Sequence, residues 1–159
     1  MVTNKDIQTL NEFLENRNVN YVLTGTAALF FHGLLPKGTD VHDIDIIVIT
    51  SGETRPALQA MFKELENLSG CQLDNEHYSS KVFVFKVGEN NVKVNALECN
   101  LDKESYPKHH AIIIDGTPIN VHDAMEILEA KFALHRQKDA DFCLKLINQL
   151  SSMFLCSKK

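Results

Sequence analysis

Asp43 and Asp45, in the run Asp-Ile-Asp-Ile-Ile-Val-Ile over 43–49, are the residues of this chain whose types and spacing most directly suggest chemistry. The β-branched residues favour a strand, and its period of two puts both carboxylates on one face, about 6 to 7 Å apart at the backbone. Side chains placed this way can converge on one ion. Hard carboxylate oxygens suit Mg²⁺, which takes one or two protein carboxylates and completes its shell with water and phosphate oxygens. Upstream, Gly25 and Thr26 directly follow an apolar run and precede a helical stretch. A glycine at such a turn has no side chain to hold a phosphate away, and free N–H groups at a helix start attract it. Read singly, the glycine is ordinary turn chemistry and the aspartates are a solvated edge or a capping pair. Their order, with a strand, glycine turn, helix and loop before the aspartate pair, joins a phosphate element to a cation element.

A mixed sheet flanked by helices would hold such a site, and the remaining pattern predicts one. Ile7, Leu10, Phe13 and Leu14, after the capping residues Thr3 and Asn4, predict a helix ending near Asn18. Val19 to Leu23 reads as a buried strand, Thr24 to Thr26 as a tight turn, and Ala27 to Phe31 as the opening of a second helix. Pro36 and Gly38 place a loop over 35–42. Glu53 to Leu68 is helical, with Pro56 in the first turn and Leu58, Met61, Phe62, Leu65 and Leu68 as its apolar stripe. Lys81 to Val87 and Val92 to Glu98 alternate around the turn Gly88 to Asn91 and predict a hairpin. A smaller hairpin is expected from Ala111 to Asp115 and Pro118 to Val121 through Gly116, then helices from about His122 to Gln137 and Ala140 to Phe154. The expected class is α+β, with C-terminal helices and residues 1–159 as one domain without internal repeats.

Composition narrows the function classes. The 159 residues are 44% hydrophobic and 23% charged, which suits a globular domain and excludes a disordered or low-complexity chain. A chain of this size buries enough surface to need no disulfide or structural metal. Sixteen Lys plus Arg against twenty-one Asp plus Glu give a net charge of -5 with no basic stripe, which argues against long nucleic acid as a partner. Cys71, Cys99, Cys143 and Cys156 are scattered without ligand spacing, as in a reduced cytoplasmic protein. Asp6, Glu12 and Glu15 interrupt any signal-like N-terminus, and Tyr21 to Leu35 is too short for a membrane span, so a soluble, cytoplasmic protein is expected.

The stretch Tyr-Val-Leu-Thr-Gly-Thr-Ala-Ala-Leu from Tyr21 to Leu29, followed by Asp43-Ile44-Asp45, resembles the nucleotidyltransferase superfamily with the polymerase-beta-type fold, especially small bacterial members related to abortive-infection toxins. Lys131 to Asp141 is similar to a helix of that family carrying lysine and closely spaced acids. The resemblance implies transfer of a nucleoside monophosphate from a nucleoside triphosphate to an acceptor hydroxyl, with pyrophosphate leaving. It implies that Asp43 and Asp45 hold Mg²⁺, that Gly25 and Thr26 contact the triphosphate, and that Lys131 neutralises charge near it. The family's third carboxylate falls at Asn95, an uncharged amide and a poor base. Glu98 would replace it only through a bulge or a strand ending, because it faces the other side of a regular strand.

Other readings stand beside this one. A nucleotidyltransferase-like binding or regulatory protein that has lost transfer is the main alternative, and an antitoxin-like interaction module is a third. A homo-oligomer and a monomer are both compatible with the sequence. Lys131 and Asp141 have plain roles as a solvated lysine and an acid in a first helical turn. His32, His109, His110 and His122 show no ligand spacing, and surface or capping roles are expected for them. Gly33 to Thr39 lacks a lysine after its second glycine and does not directly follow a strand, so it is not a phosphate loop.

Overall fold

Thr3 sets the start of the first helix, α1 (Asn4–Glu15), through a capping box: its hydroxyl accepts the Asp6 N–H at 3.2 Å while the Asp6 carboxylate accepts the Thr3 N–H at 2.8 Å. The computed structural model describes residues 1–36, 38–70, 82–134 and 137–157. Helix α1 stops three residues short of the expected Asn18, which adopts the left-handed φ of 56° and turns the chain toward the sheet. There follow β1 (Tyr21–Thr24), α2 (Gly25–Phe31), β2 (Asp43–Thr50), α3 (Arg55–Ser69), β3 (Val82–Val87), β4 (Val92–Asn100), β5 (His109–Ile114), β6 (Thr117–His122), α4 (Ala124–Leu134) and α5 (Gln137–Ser157). Both hairpins are found, and α2 begins two residues before Ala27. Lys81 and Cys71 lie outside the described residues, as does the side chain of Cys156; Cys99 and Cys143 are buried free thiols. Among the described residues, no helix is long and apolar enough to cross a membrane.

The six strands form one mixed sheet in the order β3-β4-β2-β1-β6-β5. Strand β2 runs antiparallel to β1 and parallel to β4, and β1 runs parallel to β6. The α+β expectation therefore holds.

Strand pairing sorts the side chains into two faces. Ile44, Ile46 and Val48, with Val94 and Ala96, join Leu10, Leu14, Leu29 and Phe62 from the helices in the main core. There the Phe62 ring lies 5.7 Å from Phe83 and 5.6 Å from Phe85, centroid to centroid. Leu68, expected in the same stripe, is 79% exposed, while Glu66 and Ser69 on either side of it bond to Val84 of β3. On the opposite face Val22, Ile47, Ile49 and Cys99 make a second, smaller cluster. By alternation that second face also carries Asp43, Asp45 and Asn95.

Candidate active site

A row of polar residues crosses the sheet on this second face. Asp45 of β2 is opposite Asn95 of β4 on one side and opposite Thr24 of β1 on the other. The β1 and β6 register, Leu23 opposite Val121, sets His122 beside Thr24. Paired residues point to the same side of a sheet, so Asn95, Asp45, Thr24 and His122 share one face over four adjacent strands.

Gly25, just past Thr24, has a φ of 67°, a conformation that penalises any side chain. A Cβ there would fall on the carboxylate of Asp45, within 3.0 Å of its Cγ and closer still to Oδ2. The missing side chain is thus space that Asp45 fills.

The amide nitrogen of Asn95 donates to Asp45 Oδ1 at 2.8 Å and to Asp43 Oδ2 at 3.1 Å. Carboxylates only accept, which fixes the amide with its nitrogen toward them. Burial, and then the neighbouring charge of Asp43, push the Asp45 carboxyl above the usual carboxylate range against the Asn95 hydrogen bond and the charges of Lys131 and Lys138. Two carboxylates that converge on one donor, and repel each other, offer the hard oxygen set that Mg²⁺ takes. Asn95 turns its amide nitrogen, a neutral donor and not an oxygen ligand, toward them, so the residues present fit one such ion better than two.

Lys131 of α4 is a second cation near Asp45. Its ammonium is 3.5 Å from Asp139 Oδ1 and 4.8 Å from the centre of the Phe142 ring; Asp139 is buried and Lys131 partly buried. Asp139, not Asp141, is therefore the inward acid of α5; Asp141 is exposed and accepts from Gln137 at 3.1 Å.

A scan of protein-family models gives no match to this chain, and a search of curated proteins gives none. Solved structures do resemble it. TM1012 of Thermotoga maritima, described as a candidate nucleotidyltransferase, superposes with a TM-score of 0.57 at 20% identity, covering 94% of this chain and 96% of its own. The antibiotic-resistance factor ANT(2'')-Ia gives 0.57 at 17% identity over 92% of this chain and 83% of its own. The lincosamide antibiotic adenylyltransferase LnuA gives 0.55 at 17% identity over 91% and 96%. The chain has the nucleotidyltransferase-like fold.

Within that nucleotidyltransferase-like fold, Gly25, Asp43, Asp45 and Asn95 come together as the motif order suggested, and Lys131 acts on Asp45 from α4. Glu98 does not join them. It sits in unbroken register opposite Val48 and turns to the core face, where Arg55 Nε donates to it at 2.6 Å and Gln59 at 2.9 Å.

His122 departs from its expected surface or capping role. Its ring is only 10% exposed, its Nδ1 lies 2.8 Å from Thr24 Oγ1 and its Nε2 lies 2.9 Å from Glu126 Oε1. Its backbone carbonyl also accepts from His32 Nε2 at 2.7 Å. The available signal was positional: His122 ends an apolar alternating strand and lies four residues before Glu126, one helical turn on. His109 and His110 keep peripheral roles, bonding the Pro107 carbonyl and the Asp123 carboxylate respectively.

Proposed function

We propose that this cleft binds a nucleoside triphosphate with Mg²⁺ and transfers its nucleoside monophosphate to a hydroxyl, releasing pyrophosphate. The observation that carries the reading is the register of Thr24, Asp45 and Asn95, next to a glycine whose missing side chain admits the Asp45 carboxylate. The likeness to ANT(2'')-Ia, solved in complex with adenylyl-2''-tobramycin, and to LnuA, solved with lincomycin bound, supports transfer to a small-molecule hydroxyl.

In this reading Asp43 and Asp45 hold the ion, and Gly25 and Thr26 contact the triphosphate. Lys131, shared with Asp139, neutralises charge beside it. Magnesium, when bound, supplies positive charge at the reacting phosphate. The protein's own contribution is positioning and electrostatic preorganisation, since phosphoryl groups need little covalent help. Asn95 keeps the two aspartates converged but cannot take a proton from an acceptor.

That last point supports a second reading, a nucleotide-binding protein with little transfer to outside acceptors. Both readings require a nucleotide at Asp43 and Asp45. Calorimetry with ATP, GTP, CTP and UTP in Mg²⁺ tests this, with binding expected for the parent and weakened at least about tenfold in Asp43→Ala and Asp45→Ala, a loss of about 1.4 kcal/mol. The variants should melt no lower than the parent. Normal binding by folded variants overturns the proposal, and label transferred from the triphosphate to an added hydroxyl compound selects the transferase reading.

A further inference from the structure

We propose that Thr24 is an activated nucleophile and that the protein nucleotidylates its own Thr24 hydroxyl; this rests on the triphosphate site proposed above.

Three observations lead there. The first is a diverted cap. Thr24 occupies the N-cap position of α2, where a threonine hydroxyl ordinarily accepts a backbone N–H from the first turn, yet it makes no such bond. It lies 2.8 Å from His122 Nδ1 instead.

The second is the direction of the proton. Glu126 Oε1 lies 2.9 Å from His122 Nε2 and also accepts the Lys108 backbone N–H at 3.0 Å, which fixes the carboxylate in place. A carboxylate only accepts, so in its neutral form the ring carries its proton on Nε2 and presents a bare Nδ1 to Thr24. Thr24 is then the donor, and its Oγ1 lone pairs stay available. A hydroxyl within hydrogen-bond reach of a base, itself oriented by a carboxylate, is the arrangement that activates a weak nucleophile.

The third is location. Thr24 is half-buried, adjoins Gly25 and Thr26, and stands opposite Asp45 on the shared face. A triphosphate over that turn lies beside this hydroxyl. Across the row, Asn95 offers an outside acceptor no base, whereas Thr24 has its own.

The step balances without any redox partner. Thr24 Oγ1 forms a bond to the α-phosphorus, and the bond from that phosphorus to the bridging oxygen breaks, its electron pair leaving with pyrophosphate. The Thr24 proton passes to His122 Nδ1, and Glu126 stabilises the resulting imidazolium. Glu126 is 43% exposed, which opens this end of the chain to solvent.

The test incubates the full-length protein with ATP, GTP, CTP or UTP and Mg²⁺, then reads intact mass and the modified peptide. One nucleotidyl adduct on Thr24 is expected, absent in Thr24→Val and retained in Thr24→Ser. His122→Asn keeps a hydrogen-bonding group near Thr24 but cannot accept its proton, so labelling should slow by about a hundredfold or more while nucleotide affinity stays within about twofold. Thermal melts of all variants separate this effect from unfolding, and Thr24→Val reports independently should His122→Asn not fold.

If the parent binds nucleotide through Asp43 and Asp45 yet carries no adduct on Thr24, or if His122→Asn labels at the parent rate, the inference is overturned and the triphosphate site stands. If no Mg²⁺-dependent nucleotide binding is detected, the site reading falls and this inference with it.

Discussion

The carboxylate of Asp45 occupies the space that a Cβ on Gly25 would need. Each residue constrains the other: the glycine accepts a φ of 67°, and the aspartate uses the room. Gly25→Ala adds the strain of a left-handed alanine and pushes Asp45 out of line with Asn95. A loss of roughly 1 to 3 kcal/mol in stability is expected by denaturant unfolding, together with weakened nucleotide binding. A variant that unfolds and binds like the parent would show that the two residues are not coupled.

Asp45 is also expected to cost the metal-free protein stability. Its carboxyl is raised first by burial and then by Asp43, so the folded chain holds that proton more tightly than the unfolded chain, whose value is near 3.8. The stabilising effect of protonation is complete below 3.8 and is lost as pH rises through the raised folded value. At pH 7 in chelator, Asp45→Asn should therefore melt above the parent, and the gap should narrow as pH falls toward 3.8. Asp6 and Asp123 shift the other way, but both chains contain them, so they cancel in the difference. A gap that is negative, or unchanged with pH, contradicts the burial of a charged Asp45.

The fold and the aspartate pair were legible for a common reason: both are written in local period. Asp43 and Asp45 share a face because a strand alternates, and Phe62 reaches the core because its helical stripe repeats. What the sequence left hidden depends on lateral strand order. That β1 lies between β2 and β6 brings His122 beside Thr24, residues 98 positions apart, and no local pattern announces it. Asp139 was similarly hidden behind Asp141, because the two lie on nearly opposite sides of α5 and only tertiary packing decides which of them faces Lys131. Helix ends were off by a few residues for a nearer cause: Asn18 closes α1 through a left-handed conformation that glycine more often provides.

Glu98 offers a separate test of the site's borders. Its carboxylate is bound by Arg55 and Gln59 on the core face, away from Asp43 and Asp45. Glu98→Ala should cost about 1 to 3 kcal/mol in unfolding free energy by removing these charge-assisted bonds. Nucleotide affinity, corrected for the folded fraction, should not change. A selective loss of Mg²⁺-dependent binding with normal stability would mean that Glu98 serves the ion after all.

Asn95 decides how much charge the cleft can carry. Its amide nitrogen is the donor that both aspartates accept, at 2.8 and 3.1 Å. Asn95→Asp exchanges that donor for a third acceptor and turns two attractions into repulsions. Charges about 4 Å apart near a protein surface interact by roughly 4 kcal/mol before relaxation and proton uptake reduce the figure. In chelator the variant should melt below the parent. Added Mg²⁺ should recover more stability in the variant than in the parent, because an ion that binds only the folded chain stabilises it in proportion to the logarithm of its affinity. Melting curves with and without Mg²⁺ for both chains give the four values needed. Equal melting in chelator, together with equal Mg²⁺ shifts, would mean that the side chain at 95 does not stand between Asp43 and Asp45.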